Sequence, residues 1–327
     1  STGFAVLRPG SEWHARFLYR LVQSHEFVET VVAHSEGVGY PAINPGELAS
    51  LRVWLPPASE QQAIAAFLGR ETAKIDALVA KKERLIELLQ EKRAALVTHA
   101  VTKGLNPSAL MKDSGIDWLG DVPEHWEVKR LRRVGEAIIG LTFEPTDVVD
   151  QRDGVLVLRA SNVSGGRIIL EDNVFVRSLI PKRLITKVGD ILICSRSGSR
   201  ALIGKNAKIN EDSAGVTFGT FMTVFRSVCN DYLFYVFNSS LFDYQSGAFL
   251  TSTINQLTVG NLYSFEVPMP PRGEQSAIAY FLERETAKID QMVAKVETAI
   301  ELLQEYRTAF ISAAVTGRID VRGEVAS

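Results

Sequence analysis

A block of 47 residues occurs twice in the chain, and this repeat constrains the fold more than any other feature. Pro56–Thr102 aligns without a gap with Pro270–Thr316, and about 31 of the 47 positions are identical. The identical positions include the heptapeptide RETAKID at Arg70–Asp76 and Arg284–Asp290. The two copies lie 214 positions apart, whereas solenoid repeats recur every 20–50 residues or so. The repeat therefore predicts one duplicated module.

Each copy of the block is predicted to form one long helix. Its Pro-Pro pair ends the preceding element, because proline fixes φ and restricts the residue before it. Glu60 and Glu274 then supply the acidic first turn that a helix N-terminus favours, and strong helix formers dominate the rest of the block. About 44 residues at a rise of 1.5 Å give a rod of roughly 65 Å. That length is typical of a coiled coil.

Three- and four-residue steps define a predicted seam along each helix. The helix-pairing residues are Ile75, Leu78, Leu85, Leu89 and Leu96 in the first copy, and Ile289, Met292, Val296, Leu303, Tyr306 and Phe310 in the second. Lys82 and Lys92 fall on the first seam where the second copy has Val296 and Tyr306. We expect that the two copies have diverged so that they pair with each other. The alternative is neutral sequence drift at positions where a lysine can pack its stem on the seam and keep its charged end in water.

Connectivity predicts the topology and the domain boundaries. If the segment between the helices folds as one compact domain, the helices run antiparallel and the module is duplicated about a pseudo-twofold axis, as a dumbbell. The predicted fold class is α+β, with mixed strands and short helices joined by two long antiparallel helices. We expect a domain remnant at 1–58, long helices at 59–102 and 272–316, a connector at 103–120, a strand-rich domain at 121–271 with a helix near Asp231–Leu241, and a tail at 317–327.

The strand-rich domain carries an uneven distribution of charge. Between Arg177 and Lys208 there are eight basic residues against one acid, Asp190, and they surround the loop CSRSGSRALIGKN that follows the predicted strand GDILI. Arginine, serine, asparagine and glycine backbone N–H groups bind phosphates and base edges, although a solvated charged face is the alternative. The candidate DNA-binding residues are Arg159, Ser161, Asn162, Arg183, Arg196, Ser197, Ser199, Arg200, Lys205 and Asn255. For Asn162 and Asn255 a turn-forming role is the alternative.

No catalytic, metal-binding or cofactor-binding motif emerges from the sequence. GSRALIGK departs from the phosphate-binding loop in spacing and in its last residue. The five histidines lack metal-ligand spacing, and the two cysteines, Cys194 and Cys229, are expected to be inert thiols. We therefore expect no cofactor. No apolar run approaches the roughly 18 residues of a membrane span, and we expect a cytoplasmic protein. The net charge of −2 argues against a histone-like coat on nucleic acid.

Several segments together resemble the specificity subunit of Type I restriction–modification systems. They are GLNPSALMKDSGIDWLGDVPEHWEVKRL at Gly104–Leu131 and the twice-repeated PP-x-x-EQ-x-AI-x-x-FL and ELLQE-x-R blocks. The resemblance implies two target-recognition domains that each read half of a split DNA sequence, with two helices fixing the gap. It also implies that methyltransferase subunits, two of them, and a restriction subunit bind the chain, which is itself not catalytic.

One departure from the family pattern concerns the first module. It lacks an opening W-L-G…P-x-H-W segment, and its Ser1 aligns with about Gly219 of the second module. We expect residues 1–58 to be the C-terminal remnant of the first target-recognition domain, in either a fragment or a naturally truncated copy. The alternative function is an adaptor that assembles methyltransferase subunits without reading DNA, or that forms a homodimer.

Overall fold

The computed structural model describes residues 4–37, 41–177, 179–249 and 255–321, so residues 322–327 of the predicted tail lie outside it. The α-helices are α1 Ala15–Leu21, α2 His25–Ala33, α3 Pro45–Ser50, α4 Ala58–Lys103, α5 Asn230–Phe237, α6 Ser240–Gly247, α7 Val259–Ser264 and α8 Arg272–Val315. The strands are β1 Met111–Asp113, β2 Asp121–Pro123, β3 Glu127–Arg130, β4 Glu136–Ile139, β5 Val148–Val149, β6 Val155–Leu158, β7 Val163–Ser164, β8 Arg167–Ile168, β9 Val174–Val176, β10 Ile191–Cys194, β11 Asn206–Lys208, β12 Thr217–Phe218, β13 Met222–Arg226 and β14 Glu266–Met269. Short strands, short helices and two long helices confirm the predicted α+β class. Within the described ranges, no helix is long and apolar enough to cross a membrane.

The chain divides into two compact units. Unit 1 comprises Ser1–Leu89 and Asp290–Ser327, and unit 2 comprises Gln90–Ile289. Helices α4 and α8 therefore each contribute residues to both units.

Unit 1 is a helical cluster formed by α1–α3 and parts of the two long helices. Its core is made of buried apolar side chains: Phe17, Leu21, Ile64, Ala65, Phe67, Leu68, Ile311, Ala314, Val315 and Val321. The rings of Phe67 and Phe310 lie 5.5 Å apart, and Arg307 Nε donates to Asp76 Oδ1 at 2.8 Å. From the Phe67–Phe310 contact to the Asp76–Arg307 contact, the residue number rises along α4 and falls along α8. The two helices therefore run antiparallel within this unit.

Unit 2 is built around two four-stranded sheets. One has the strand order β11-β10-β13-β4 and is antiparallel; the other has the order β12-β6-β9-β5, with a parallel β12–β6 pair. Leu192 and Cys194 of β10 pack into an apolar cluster shared with β6 and β12. Ile191 and Ile193 point to a second cluster shared with α5–α7 and the long helices. All four residues of β10 are buried because both faces of its sheet are covered.

The repeated block has the same local chemistry in both copies. Gln61 and Gln275 are buried, and each Nε2 donates to the carbonyl of the first proline of its Pro-Pro pair, at 2.9 Å from Pro56 and 2.7 Å from Pro270. The threonine of RETAKID is also buried in both copies and donates to the carbonyl four residues earlier. A buried amide or hydroxyl without a partner is costly. The two copies of the repeat therefore preserve the same side-chain hydrogen bonds in the N-terminal part of each long helix.

The predicted seam steps by three and then four residues from Ile75 and Ile289, whereas the less exposed face of each helix steps by four and then three. The prediction therefore names an exposed residue at alternate positions. Ile75 and Ile289 are buried. The exposed seam residues are Leu78 at 43%, Leu85 at 43%, Met292 at 41% and Tyr306 at 57%. The less exposed residue is the next one in each case: Val79, Ile86, Val293 and Arg307. Leu89, Leu96, Val296, Leu303 and Phe310 are half-buried, since the two patterns coincide every seven residues.

The helix predicted near Asp231–Leu241 is two helices. Asn238 closes α5, and its side-chain amide donates to the Phe234 carbonyl at 2.7 Å. Ser239 follows in an extended conformation and precedes α6. Asparagine and serine compete for backbone hydrogen bonds in this way and so interrupt helices.

Candidate nucleic-acid interface

A groove of about 1110 Å³ opens in unit 2 where several loops meet at one edge of the sheets. The lining residues follow β4 (Phe143), β6 (Arg159, Ala160, Ser161) and β10 (Arg196, Ser197, Gly198), precede or begin β13 (Gly219, Thr220, Phe221, Met222), or come from Asn255 and Gln256. Five of the predicted DNA-binding residues are therefore brought together: Arg159, Ser161, Arg196, Ser197 and Asn255.

The loop that follows β10 is held by backbone hydrogen bonds on two sides. Ser195 N–H and Arg196 N–H both donate to the Phe221 carbonyl at 3.0 Å. On the other side Arg196 forms an isolated antiparallel bridge with Gln256, and Leu257 N–H donates to the Ser195 carbonyl at 2.8 Å. The backbone that presents the Arg196 side chain is therefore fixed before any ligand binds.

Arg196 projects from this loop over an aromatic ring. Its Cζ lies 5.2 Å from the centroid of Phe221, whose side chain is 53% exposed. A guanidinium over a ring face is attracted by the ring quadrupole.

Arg159 stands at another wall of the groove and is partly engaged. One of its terminal nitrogens donates to the carbonyl of Asp172 and to the Asp172 carboxylate, the latter at 2.9 Å. Its Nε is buried and has no hydrogen-bond acceptor within the described residues. Asp172 has a positive φ of 48°, a backbone conformation that Asp and Asn tolerate better than most residues.

Asn162 does not contact the groove. Its side chain is buried, donates to the carbonyls of Ile169 and Glu171, and accepts from Arg159 N–H at 2.9 Å. These bonds agree with the turn-forming alternative, and the role of Asn162 as a DNA contact stays an untested prediction. Asn255 has a mixed role, because its Nδ2 donates to the Gly198 carbonyl at 3.3 Å while the residue lines the groove.

Four predicted residues lie outside the groove lining. Arg183 belongs to the short 3-10 turn Lys182–Leu184, and Arg200 begins the turn Arg200–Leu202. Both are exposed, as is Ser199, whereas Lys205 is half-buried. Proximity in sequence to the groove loop does not place these side chains in it, because the chain turns away after Gly198.

The basic stretch is less positive in three dimensions than in sequence. Arg177 pairs with Asp153 at 3.3 Å, and Lys208 pairs with Asp231 at 3.0 Å. In the groove, Arg159 is likewise paired with Asp172, which leaves Arg196 as the cation without a carboxylate partner among the described residues. Within the described part of the chain, the groove lining includes two arginines and no carboxylate.

Sequence reasoning missed Phe143, Thr220, Phe221 and Gln256 as groove residues. Each is a single residue in a loop without periodicity, and nothing in the sequence indicated that these loops meet. An exposed phenylalanine such as Phe221 has no role in a core, and only the structure identifies it as exposed.

An ion pair with a buried carboxylate joins β10 and β13 at the strand ends away from the groove. Arg226 donates to both carboxylate oxygens of Asp190, at 2.8 Å from Nε and 2.6 Å from a terminal nitrogen. These hydrogen bonds raise the pKa of Arg226 above its usual value. Asp190 immediately precedes β10, and Arg226 ends β13, so the pair aligns the two strands whose other ends carry Arg196 and Phe221. Burial raises the pKa of the Cys194 thiol at the end of β10.

The P-E-H-W segment at Pro123–Trp126 has a structural role in unit 2. The Trp126 side chain is fully buried, and its indole N–H donates to Glu274 at 3.1 Å. His125 Nε2 lies 2.7 Å from the same carboxylate. The segment thus binds the first turn of α8 and does not contact the groove. No cluster of His, Cys, Asp and Glu suited to a metal ion occurs among the residues that the structure describes.

Comparison with known proteins gives a consistent set of relatives. The family model described as "Type I restriction modification DNA specificity domain" matches residues 123–302. The MjaVIII specificity subunit of Methanocaldococcus jannaschii is 25% identical over 93% of this chain and 70% of its own length. The EcoKI specificity subunit of Escherichia coli is 27% identical over 61% of this chain and 44% of its own length. The alignment thus spans less than half of the Escherichia coli protein.

Two solved structures share the fold. A chain from a study of complex assembly and conformational transition of the type I R-M system has a TM-score of 0.72 at 18% identity, covering 91% of this chain and 70% of that one. The HsdS subunit of Thermoanaerobacter tengcongensis has a TM-score of 0.52, also at 18% identity, covering 93% of this chain and 70% of that one. At this identity the likeness concerns the fold alone.

Proposed function

We propose a function from one premise: this chain belongs to the type I restriction–modification specificity family, because the DNA specificity domain of that family matches more than half of it. Membership indicates DNA sequence recognition in a restriction–modification system. The relatives are named specificity subunits, in agreement with the prediction that the chain is not itself an enzyme. The chain then reads a split DNA target and binds methyltransferase and restriction subunits.

The observation that carries the DNA-reading part of this proposal is the groove in unit 2. Two arginines, five hydroxyl or amide side chains and two aromatic rings converge there from separate loops, and no carboxylate lines it among the described residues. DNA presents phosphates, which attract such a surface, and base edges, which hydrogen-bond to arginine and amide groups. A solvated charged face would not gather its cations in a concave site with aromatic walls.

The duplicated helical block supports the split target. Both copies begin with the same buried glutamine and carry the same buried threonine, so the chain contains two copies of one spacer element. We propose that unit 2 reads one half of the target, and that the lengths of α4 and α8 determine the gap between the halves.

Exposed apolar side chains in unit 1 support the binding of partner subunits. Leu78, Leu85 and Leu88 of α4 and Leu302 and Tyr306 of α8 are between 43% and 59% exposed. Large exposed apolar groups grouped on one element are typical of protein–protein contacts. We propose that they contact the methyltransferase subunits.

Selection from a random DNA library tests the proposal. The chain is assembled with its methyltransferase subunits, mixed with duplexes carrying a long randomised segment, and the bound fraction is sequenced at a fixed salt concentration. The proposal expects enrichment of two short elements separated by a constant gap. Assembly with the subunits but no enriched motif would contradict it and favour the adaptor that assembles partners without reading DNA. Failure to assemble at all would contradict the docking part.

A further inference from the structure

We propose that Arg196 reads a guanine in the half-site bound by unit 2, with Phe221 as its positioning residue. This inference rests on the proposed DNA-reading function and makes it specific. The guanidinium N–H groups of Arg196 would recognise the base, and the ring of Phe221 would hold the guanidinium in position.

Arg196 differs from Arg159, Arg177 and Arg226 in having an unpaired guanidinium among the described residues. Arg159 is bonded to Asp172, Arg177 to Asp153 and Arg226 to Asp190. Arg196 has no hydrogen-bond acceptor or carboxylate for its guanidinium within the described residues, yet its backbone is bonded on two sides. Arg183 and Arg200 lie on exposed turns outside the groove lining.

The contact with Phe221 restrains the guanidinium at the groove. Its Cζ lies 5.2 Å from the ring centroid, and both side chains line the groove. A planar fork held in one orientation matches two acceptors at a fixed separation, and guanine offers O6 and N7 in the major groove. The rotational freedom that an exposed arginine would lose on binding is already restricted in the free protein.

A phosphate is the other acceptor that an arginine can bind. An arginine fork can also bind two phosphate oxygens, but phosphates lie on the outside of the duplex, where arginines on exposed turns such as Arg183 and Arg200 can reach them. The aromatic support, the concave site and the braced backbone of Arg196 therefore favour a base edge over the DNA backbone.

The test compares Arg196→Ala and Arg196→Lys with the wild-type chain in the library selection. Lysine keeps the positive charge but lacks the fork. The proposal expects one guanine position of the wild-type motif to become degenerate in Arg196→Ala and less selective in Arg196→Lys, whose ammonium can still donate to O6 and N7, while the rest of the motif is retained. In titrations, discrimination at that position falls by about 5- to 150-fold, the range of a good bidentate base contact.

Replacing that guanine with 7-deazaguanine provides the complementary change on the DNA. It removes the N7 acceptor and leaves base pairing intact. Affinity of the wild-type chain should fall, whereas that of Arg196→Ala should not fall further. Retained guanine preference in Arg196→Ala would overturn the proposal, as would a uniform loss of affinity in that variant with a salt slope smaller by about 1, which marks a phosphate contact. In either case the wild-type motif would still support the DNA-reading function, whereas the absence of any wild-type motif would refute both.

The variant Phe221→Leu tests whether Phe221 positions the Arg196 side chain or only supports the folded structure. The leucine keeps an apolar side chain at an exposed site but removes the ring face. The proposal expects a partial loss of guanine discrimination, an unchanged salt slope, and recovery in Phe221→Tyr. Full discrimination in Phe221→Leu would remove Phe221 from the mechanism.

Discussion

The ion pair between Asp190 and Arg226 yields a stability prediction with a definite asymmetry. The Asp190 side chain is 3% exposed and that of Arg226 is 22% exposed. Arg226→Met leaves the carboxylate buried, with one backbone donor remaining, Lys187 N–H at 2.9 Å. An uncompensated buried charge of this kind lowers the free energy of unfolding by about 3–5 kcal/mol.

The reverse change should cost less. In Asp190→Leu the guanidinium keeps its hydrogen bond to the Ile185 carbonyl at 3.0 Å and can reach water, so we expect a loss of about 1–3 kcal/mol. The double variant Asp190→Leu/Arg226→Met should be more stable than Arg226→Met alone, because apolar replacement of both partners removes the desolvated charge.

Urea denaturation at pH 7, followed by circular dichroism, measures all four proteins in one thermodynamic cycle. The expected order of stability places Arg226→Met last. A loss below about 1 kcal/mol for Arg226→Met, or a greater loss for Asp190→Leu than for Arg226→Met, would refute the reasoning that burial of the carboxylate sets the cost.

Three further predictions concern packing in unit 2. In Gly140→Ala the new Cβ would lie 2.1 Å from a backbone carbonyl oxygen, so the thermal midpoint should fall by the equivalent of about 3 kcal/mol or more; an unchanged midpoint would contradict the close approach. Trp126→Phe removes the indole donor to Glu274 and should cost about 1–2 kcal/mol in urea denaturation, since the carboxylate is partly exposed and keeps one partner; a neutral result would mean that the bond contributes nothing. Cys194 is fully buried with a raised pKa, so iodoacetamide at pH 8 should modify half-buried Cys229 first, as measured by peptide mass spectrometry; equal rates would contradict the burial of Cys194.

The sequence was most informative about the long helices. Their existence follows from the repeat, because 47 residues with helix-forming composition and Pro-Pro starts leave few alternatives. Which side chains face inward was not determined by the pattern. Leu78 and Val79 are both apolar, as are Leu85 and Ile86, so either choice satisfies a three-four spacing. The contacts of Phe67 and Asp76 with α8 select the face.

The groove was only partly predictable from sequence. Arg196, Ser197 and Asn255 were found through residue chemistry, because Arg, Ser and Asn in a glycine-containing loop match DNA acceptors. Their convergence with Phe221 depends on the pairing of β10 with β13, a contact between strands 28 residues apart at Cys194 and Met222 that no local pattern encodes. Asn162 shows the limit of residue chemistry, since this polar loop residue is bonded inward and lies outside the groove lining.

The resemblance motifs have structural as well as family meaning. The buried tryptophan of P-E-H-W and the glutamine of each Pro-Pro block bind the starts of the long helices. These residues satisfy buried backbone and side-chain groups, which any chain with this fold must do. In the proposed function the bases are instead contacted by loops, whose residues are free to differ between chains that read different sequences.

Mapping of DNA methylation in cells tests the central claim most directly. The chain is expressed with its methyltransferase subunits in a host that lacks both, and modified bases are located by sequencing against a host that expresses the methyltransferase alone. The account predicts methylation at one split motif, dependent on the chain, with a guanine that loses its importance in Arg196→Ala. Methylation that does not depend on the chain, or that follows no motif, would contradict the claim that this chain reads DNA.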